Sequence, residues 1–134
     1  ELFKRYVQDD EKVIANELYM NMNQLKFMNR KGMYIGPHGH NHYWLSELDR
    51  KEQKEEINMS LKIMNEIGFC FNSWAMSYPN GDYNKLLLSY LTKKGCKVGM
   101  IDDIPHISDL INDYHLTLPR IDTKDVSKEM NKNV

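Results

Sequence analysis

Apolar positions in this chain follow a helical period at first, then switch between helical stretches and short continuous runs, with a glycine at each switch. Leu2, Phe3, Tyr6 and Val7 share one helical face, and Val13, Ile14 and Leu18 continue at the same spacing. Met22, Leu25 and Met28 carry a second amphipathic stretch that closes on Arg30-Lys31-Gly32. Residues 2–31 are therefore expected to form helix, in two pieces, with basic residues and a glycine suited to the end of the second. A short apolar run, Met33-Tyr34-Ile35, reads as the first strand. Ser46 can cap a long helix reaching about Ile67, with Ile57, Leu61 and Met64 on one side and Gly68 ending it. An apolar run from 69 to 76 follows. Asp82 can cap another helix with Leu87, Tyr90 and Leu91 inward, closed by Lys93-Lys94-Gly95, and residues 96–101 read as the next strand.

Gly32, Gly68 and Gly95 thus each stop a helix and release a strand. Strands alternating with helices of this length imply parallel pairing, because a parallel connection needs a long crossover. The charges from Asp49 to Glu56 read as the solvated face of a helix. Beyond Ile101 the pattern loosens. Asp102-Asp103-Ile104-Pro105 is a turn, 106–113 is a short helix or irregular loop, and 115–118 is a short strand. Asp122 or Thr123 can cap a last helix over 124–130, and the polar end should fray. The expectation is one α/β domain over 1–134.

Composition narrows the function classes. A chain of 134 residues can bury a real core but is small for an enzyme barrel, which typically needs roughly 200 or more. A net charge of −1 does not suit a polyanion such as nucleic acid as partner. No apolar run approaches the ~18 residues of a membrane span, and there is no signal-peptide pattern. Cys70 and Cys96 form no CxxC and read as small core residues. The chain opens Glu1-Leu2-Phe3 without methionine, which suggests a piece of a longer protein.

The chemistry concentrates in Gly36-Pro37-His38-Gly39-His40-Asn41-His42, which holds three of the five histidines. Neutral imidazole is the commonest ligand for a divalent transition metal, and a Pro/Gly-shaped loop is stiff enough to aim it. In a turn that starts helically, His38 and His42 stand on one side, four residues apart, with His40 pointing away. In an extended loop, His38 and His40 share a side instead. The Gly36-Pro37 turn and Ser46 favour the compact arrangement. In parallel α/β folds, ligands bind beyond the carboxyl ends of strands. That rule gathers four polar loops on one edge: residues 38–42, Ser77-Tyr78-Pro79-Asn80-Gly81, Asp102-Asp103 and Arg120-Ile121-Asp122. Metal ligands, loop amides and an arginine at one mouth suit a hydrolytic site, in which an ion activates water and amides or cations hold the oxyanion.

The histidine stretch resembles the second motif of the polysaccharide deacetylase family (carbohydrate esterase family four, the NodB homology domain), in which two histidines of a Gly-Ser/Asn-His-Ser/Thr-x-x-His segment bind metal. The segment from Gln24 to Gly32 resembles the helix leading into it. Ser77-Tyr78-Pro79-Asn80-Gly81-Asp82-Tyr83-Asn84 is similar to the third motif in its Tyr-Pro-x-Gly form, and Leu118-Pro119-Arg120-Ile121 resembles a stretch near the end of many members. The resemblance implies an incomplete distorted (β/α) barrel and metal-dependent removal of N- or O-acetyl groups from a carbohydrate. It implies that His38 and His42 hold zinc or a similar ion and that the Asn80 backbone amide is the oxyanion donor. By the same likeness Tyr78, Pro79 and Gly81 line the sugar groove, and Arg120 orients a catalytic carboxylate or contacts substrate. Tyr78 reads equally as a packing aromatic. The cell envelope or extracellular space is the compartment the family suggests.

The departures shape the expectation further. The family's first motif, an Asp-Asp pair ending an apolar strand, has no counterpart; Asp9-Asp10 sits in a polar helical context. Position 37 is proline where serine or asparagine is usual, and Ser77 stands where many members have arginine. The motif carrying the general acid is not evident, and His106 and His115 precede the arginine and read as ordinary loop or strand residues. Two histidines alone rarely hold zinc tightly. The chain is therefore expected to be the C-terminal part of a deacetylase domain, weak or inactive alone, with sheet edges that could pair with a second copy. The competing expectations are a His-x-His metallohydrolase using His38 and His40 with Asp102 or Asp103, and a non-catalytic carbohydrate-binding or assembly module on the same scaffold.

Overall fold

A computed structural model describes residues 5–7, 10–69, 71–102, 108–121 and 123. Leu2, Phe3, Asp9, Cys70, Asp103, His106, Asp122 and the expected last helix lie outside them. The chain divides into two compact units, Glu1–Ile35 and Gly36–Val134.

In the first unit, α1 spans Glu11–Leu18 and α2 spans Met22–Arg30. Asp10 caps α1, its carboxylate accepting from the Lys12 N–H at 2.9 Å, so this member of the acidic pair upstream of the histidines serves a helix start. Asn21 and Gln24 form a reciprocal capping box on α2. The apolar faces read from the sequence are amphipathic but not buried: Val13 and Leu18 are exposed, as are Tyr6 and Val7. Residues 33–35 belong to no strand, because an apolar run becomes one only when its peptide groups join a ladder, and the described sheet has three other strands.

In the second unit, α3 spans Arg50–Glu66, β1 Trp74–Ser77, α4 Lys85–Lys93, β2 Cys96–Ile101 and β3 Leu118–Pro119. The sheet order is β1-β2-β3, all parallel, as the alternation of elements requires. Ser77 lies opposite Met100, and Ile101 opposite Pro119, so the carboxyl ends of all three strands fall on one edge. Ile57, Leu61 and Met64 of α3 and Leu87 and Leu91 of α4 are buried as the periodicity predicts, with Leu45, Trp74, Met76, Tyr78, Ile101 and Leu116. Gly32, Gly68 and Gly95 all adopt left-handed φ, at +82°, +85° and +86°. After the first two of them, Met33 N–H bonds Met28 O and Phe69 N–H bonds Met64 O, the closing pair of a Schellman turn.

The helix starts differ from those expected. α3 begins at Asp49, which forms a capping box with Glu52, whereas Ser46 sits in a 3-10 turn, Leu45–Glu47. α4 is capped by Asn84, whose side chain accepts from the Leu87 N–H at 3.0 Å. In both cases a second candidate cap stood within three residues, and the nearer one to the apolar stripe took the role. The Asp82 carboxylate, released from capping, accepts from the Ser46 N–H instead.

Candidate functional site

At the carboxyl edge of the sheet the chain after β1, β2 and β3 meets the histidine loop, which no strand of the described sheet precedes. Of these segments the histidine loop is the most strongly held. Pro37 is buried, and Gly39 and His42 both have positive φ, +75° and +61°. Two left-handed residues three apart fold this segment into a tight turn, and the His38 and His42 rings meet edge to face with centroids 5.0 Å apart. A non-glycine residue in that region costs about 1–3 kcal/mol and persists only where its surroundings over-determine it. His42 and Asn80 are the two such residues in the described chain, and they belong to two of the loops at this mouth.

Three separate elements hold the turn. From the end of β1, the Ser77 carbonyl lies 2.8 Å from His38 Nδ1 and the Ser77 hydroxyl 2.9 Å from it. A carbonyl can only accept, so Nδ1 is the donor in this bond, and Nε2 is the ring nitrogen left to face outward. From the loop after β1, Pro79 closes on Gly39 so tightly that a Cβ there would stand 3.2 Å from Pro79 Cγ. From α3, the Glu56 carboxylate accepts from the His40 N–H at 3.0 Å, from the Asn41 N–H at 2.9 Å and from the Asn41 side-chain amide. Gln53, one turn earlier, donates from Nε2 to Leu45 O at 2.8 Å and fixes the chain just past the histidines.

Glu56 was legible only as part of a wet helix face, and the structure corrects that: it is 6% exposed. Burial raises the pKa of its carboxyl, yet the bonds from the Asn41 backbone and side chain and the His40 backbone outweigh it and leave the group below its ordinary value. The missed signal lies in the stripe itself. Gln53, Glu56 and Ser60 occupy the same face as Ile57, Leu61 and Met64, and polar residues on an apolar stripe need partners inside.

The second loop turns its tyrosine inward. Tyr78 is 1% exposed, and its hydroxyl donates to Leu116 O at 2.7 Å. Burial pushes its phenol well above the usual range. The Tyr78 and Pro79 side chains and Gly81 lie beneath the loop surface, so what this loop presents outward is Asn80. Among the described residues no protein acceptor takes the Asn80 N–H. Gly81 packs on the Asp102 backbone, where a Cβ would meet Asp102 N at 3.0 Å, which joins this loop to the end of β2. Arg120 is exposed at the end of β3, its N–H bonded to Ile101 O at 3.0 Å.

The His38 and His42 rings lie in edge contact, so the pair could offer two donors to a metal, and His38 has the bond from one ring nitrogen to a carbonyl that metal-bound imidazoles ordinarily make. Among the described residues no group of three or more His, Cys, Asp or Glu gathers to complete one. His40 faces elsewhere, lining an open cleft of about 480 Å³ with Asn41, Tyr43, Glu55 and Met59. His115 serves through its carbonyl, which accepts from the Gly99 N–H at 2.8 Å. Cys96 is buried and free.

This geometry is a parallel α/β sheet with a histidine pair at its carboxyl edge, and comparison places it. Residues 8–99 match the polysaccharide deacetylase family, and the chain belongs to that family. Among solved structures it is similar to the Streptococcus pyogenes deacetylase PplD in complex with acetate, at 26% identity and a TM-score of 0.69. That similarity covers 81% of this chain and 46% of PplD, so the chain spans less than half of that deacetylase. No curated protein sequence matches. No helix among the described residues is long and apolar enough to cross a membrane.

Proposed function

We propose that the protein to which this chain belongs removes acetyl groups, as N- or O-acetyl, from a carbohydrate with the help of a divalent metal, zinc being the first choice. The observation that carries this is the His38–His42 pair, held in ring contact with His38 Nδ1 bonded to the Ser77 carbonyl, at the mouth of a deacetylase-type sheet. His38 and His42 would hold the ion, which when bound supplies Lewis acidity and an activated water. The chain's own residues prepare the rest. Ser77 fixes the His38 tautomer, and Pro79 and Glu56 set the turn. Asn80, on a strained backbone and without a protein acceptor among the described residues, offers its N–H to a developing oxyanion. Arg120, at the same edge, suits a carboxylate or substrate hydroxyl. Tyr78, Pro79 and Gly81 act from below, shaping the groove floor. PplD was solved with acetate, the acid such a reaction releases.

A carboxylate ligand and a general base are still needed, and no such group joins the pair among the described residues. That favours weak or absent activity of this chain alone, with the scaffold and half the metal site intact. The test is cobalt or zinc binding by the chain together with acetate release from an acetylated chito-oligosaccharide. The proposal expects measurable metal binding that His42→Ala removes and His40→Ala leaves. Loss on His40→Ala and tolerance of His42→Ala would favour the His-x-His alternative and overturn it.

A further inference from the structure

Glu56 has no place among the motifs that define the histidine loop, yet it is the one buried charged side chain among the described residues. It stands mid-helix on α3, sixteen residues beyond His40, and is 6% exposed. A buried carboxylate without partners is costly, and helix packing alone would favour a neutral residue at this position. Here both oxygens are spent on one target. Oε2 accepts the consecutive His40 and Asn41 N–H groups, and Oε1 accepts the Asn41 side-chain amide. Those two peptides are the middle of the turn whose ends are His38 and His42. The middle N–H groups of a tight turn have no acceptor within it, so this carboxylate takes the place a strand or helix partner would have.

The turn is gripped from both sides. A Cβ at Gly39 would find Pro79 Cγ at 3.2 Å and Glu56 Oε2 at 3.7 Å, so the turn lies against both neighbours. His42 must hold φ +61° for its ring to reach that of His38. Such a conformation relaxes unless its neighbours oppose the relaxation. Ser77 restrains only the His38 end. Glu56 restrains the centre, one residue before His42.

We propose that Glu56 is a positioning residue for the histidine pair: by holding the His40 and Asn41 peptides it sets the separation and facing of the His38 and His42 rings, and through them the affinity for a divalent ion. The pair's role as ligands rests on the proposed function; the clamp on the turn does not. Replacing the carboxylate by an amide removes its charge and one of its two acceptor oxygens, so the three bonds cannot all persist as they stand, and loss of an outer-shell partner of this kind typically weakens metal binding about 10- to 100-fold.

The experiment compares wild type, Glu56→Gln and Glu55→Gln, the last altering an exposed carboxylate next door. Two readouts are taken on folded protein: the NMR cross-relaxation between the His38 and His42 ring protons without metal, and titration with Co²⁺ followed by its visible absorption. In Glu56→Gln the ring-to-ring signal is expected to fall several-fold and Co²⁺ to bind about 10- to 100-fold more weakly, with Glu55→Gln like wild type. A Glu56→Gln protein with unchanged ring contact and unchanged Co²⁺ affinity overturns the proposal, whatever its melting temperature. If wild type shows the ring contact, Glu56→Gln loses it and neither binds Co²⁺, the clamp stands and the metal-dependent function falls. Should Glu56→Gln not fold, Asn41→Ala removes one of the three bonds without touching the core. It is expected to shift both readouts in the same direction, and no shift in either overturns the proposal.

Discussion

Glu56 stays charged inside the protein because the turn above it supplies three donors, and that dependence has a pH signature. Its carboxyl sits below the ordinary 4.5, so the stability it contributes is fully present above that value and is lost as pH falls through the lower folded-state value. Urea unfolding at pH 7, 5 and 3 is expected to show a drop confined to the acid end, and Glu56→Gln should flatten it. An equal drop in the variant would assign the effect to other carboxylates. Cys96 makes the opposite point. Burial drives its thiol up to about 11, against weaker opposing bonds from Val98 and Met76, so little thiolate exists near neutral pH. A disulfide reagent at pH 8 should modify it slowly in native protein and rapidly in urea.

At the level of elements, two contacts decide how loops meet strands. In β2, Gly99 has no room for a side chain: a Cβ would stand 2.3 Å from both Leu116 O and the Tyr78 hydroxyl. A glycine inside a strand often marks such an approach of another backbone. Gly99→Ala is expected to cost at least about 2 kcal/mol, in the range of overpacking a rigid interior, and to break the bond that holds Tyr78 under its loop. Chemical denaturation measures the first, and the tyrosine ultraviolet difference spectrum reports the second. At the start of α4, Asn84→Ala should remove about 1 kcal/mol of capping, whereas Asp82→Ala should leave helix content unchanged by circular dichroism, because Asp82 bonds the Ser46 N–H and not the helix.

For the whole molecule, the expectation concerns ligand linkage. A metal that binds only the folded chain raises stability by about 2.7 kcal/mol at a hundred times its dissociation constant. Zn²⁺ should therefore raise the melting temperature over a chelator-treated sample, and His38→Ala or His42→Ala should abolish the increase. An equal increase in both variants would place the ion elsewhere. The site's place at the carboxyl edge follows from parallel strands, whose connections return across the helices and leave the loops gathered at one end.

How much of this was readable in advance differs by kind of interaction. Helices over 50–66 and 85–93, the glycines that end them, the strand at 96–101 and the two histidines four residues apart all follow from periods and spacings within about twenty residues. Local sequence carries such signals because helix faces, caps and turns are made by near neighbours. Residues 33–35 failed as a strand because pairing depends on what lies beside a segment, not within it. Tyr78 was open between packing and display for the same reason, and only its bond to Leu116, 38 residues away, decided it. Glu56 looked like solvent-facing charge until the histidine turn was laid across it.

The amino-acid sequence by itself determined the alternation of helices and parallel strands and the edge on which loops gather, and it named the candidates for binding metal. Only the tertiary structure decided which of three histidines face each other and which acid supports them. Those choices rest on hydrogen bonds between segments 15 to 39 residues apart, and no local period encodes contacts at that range.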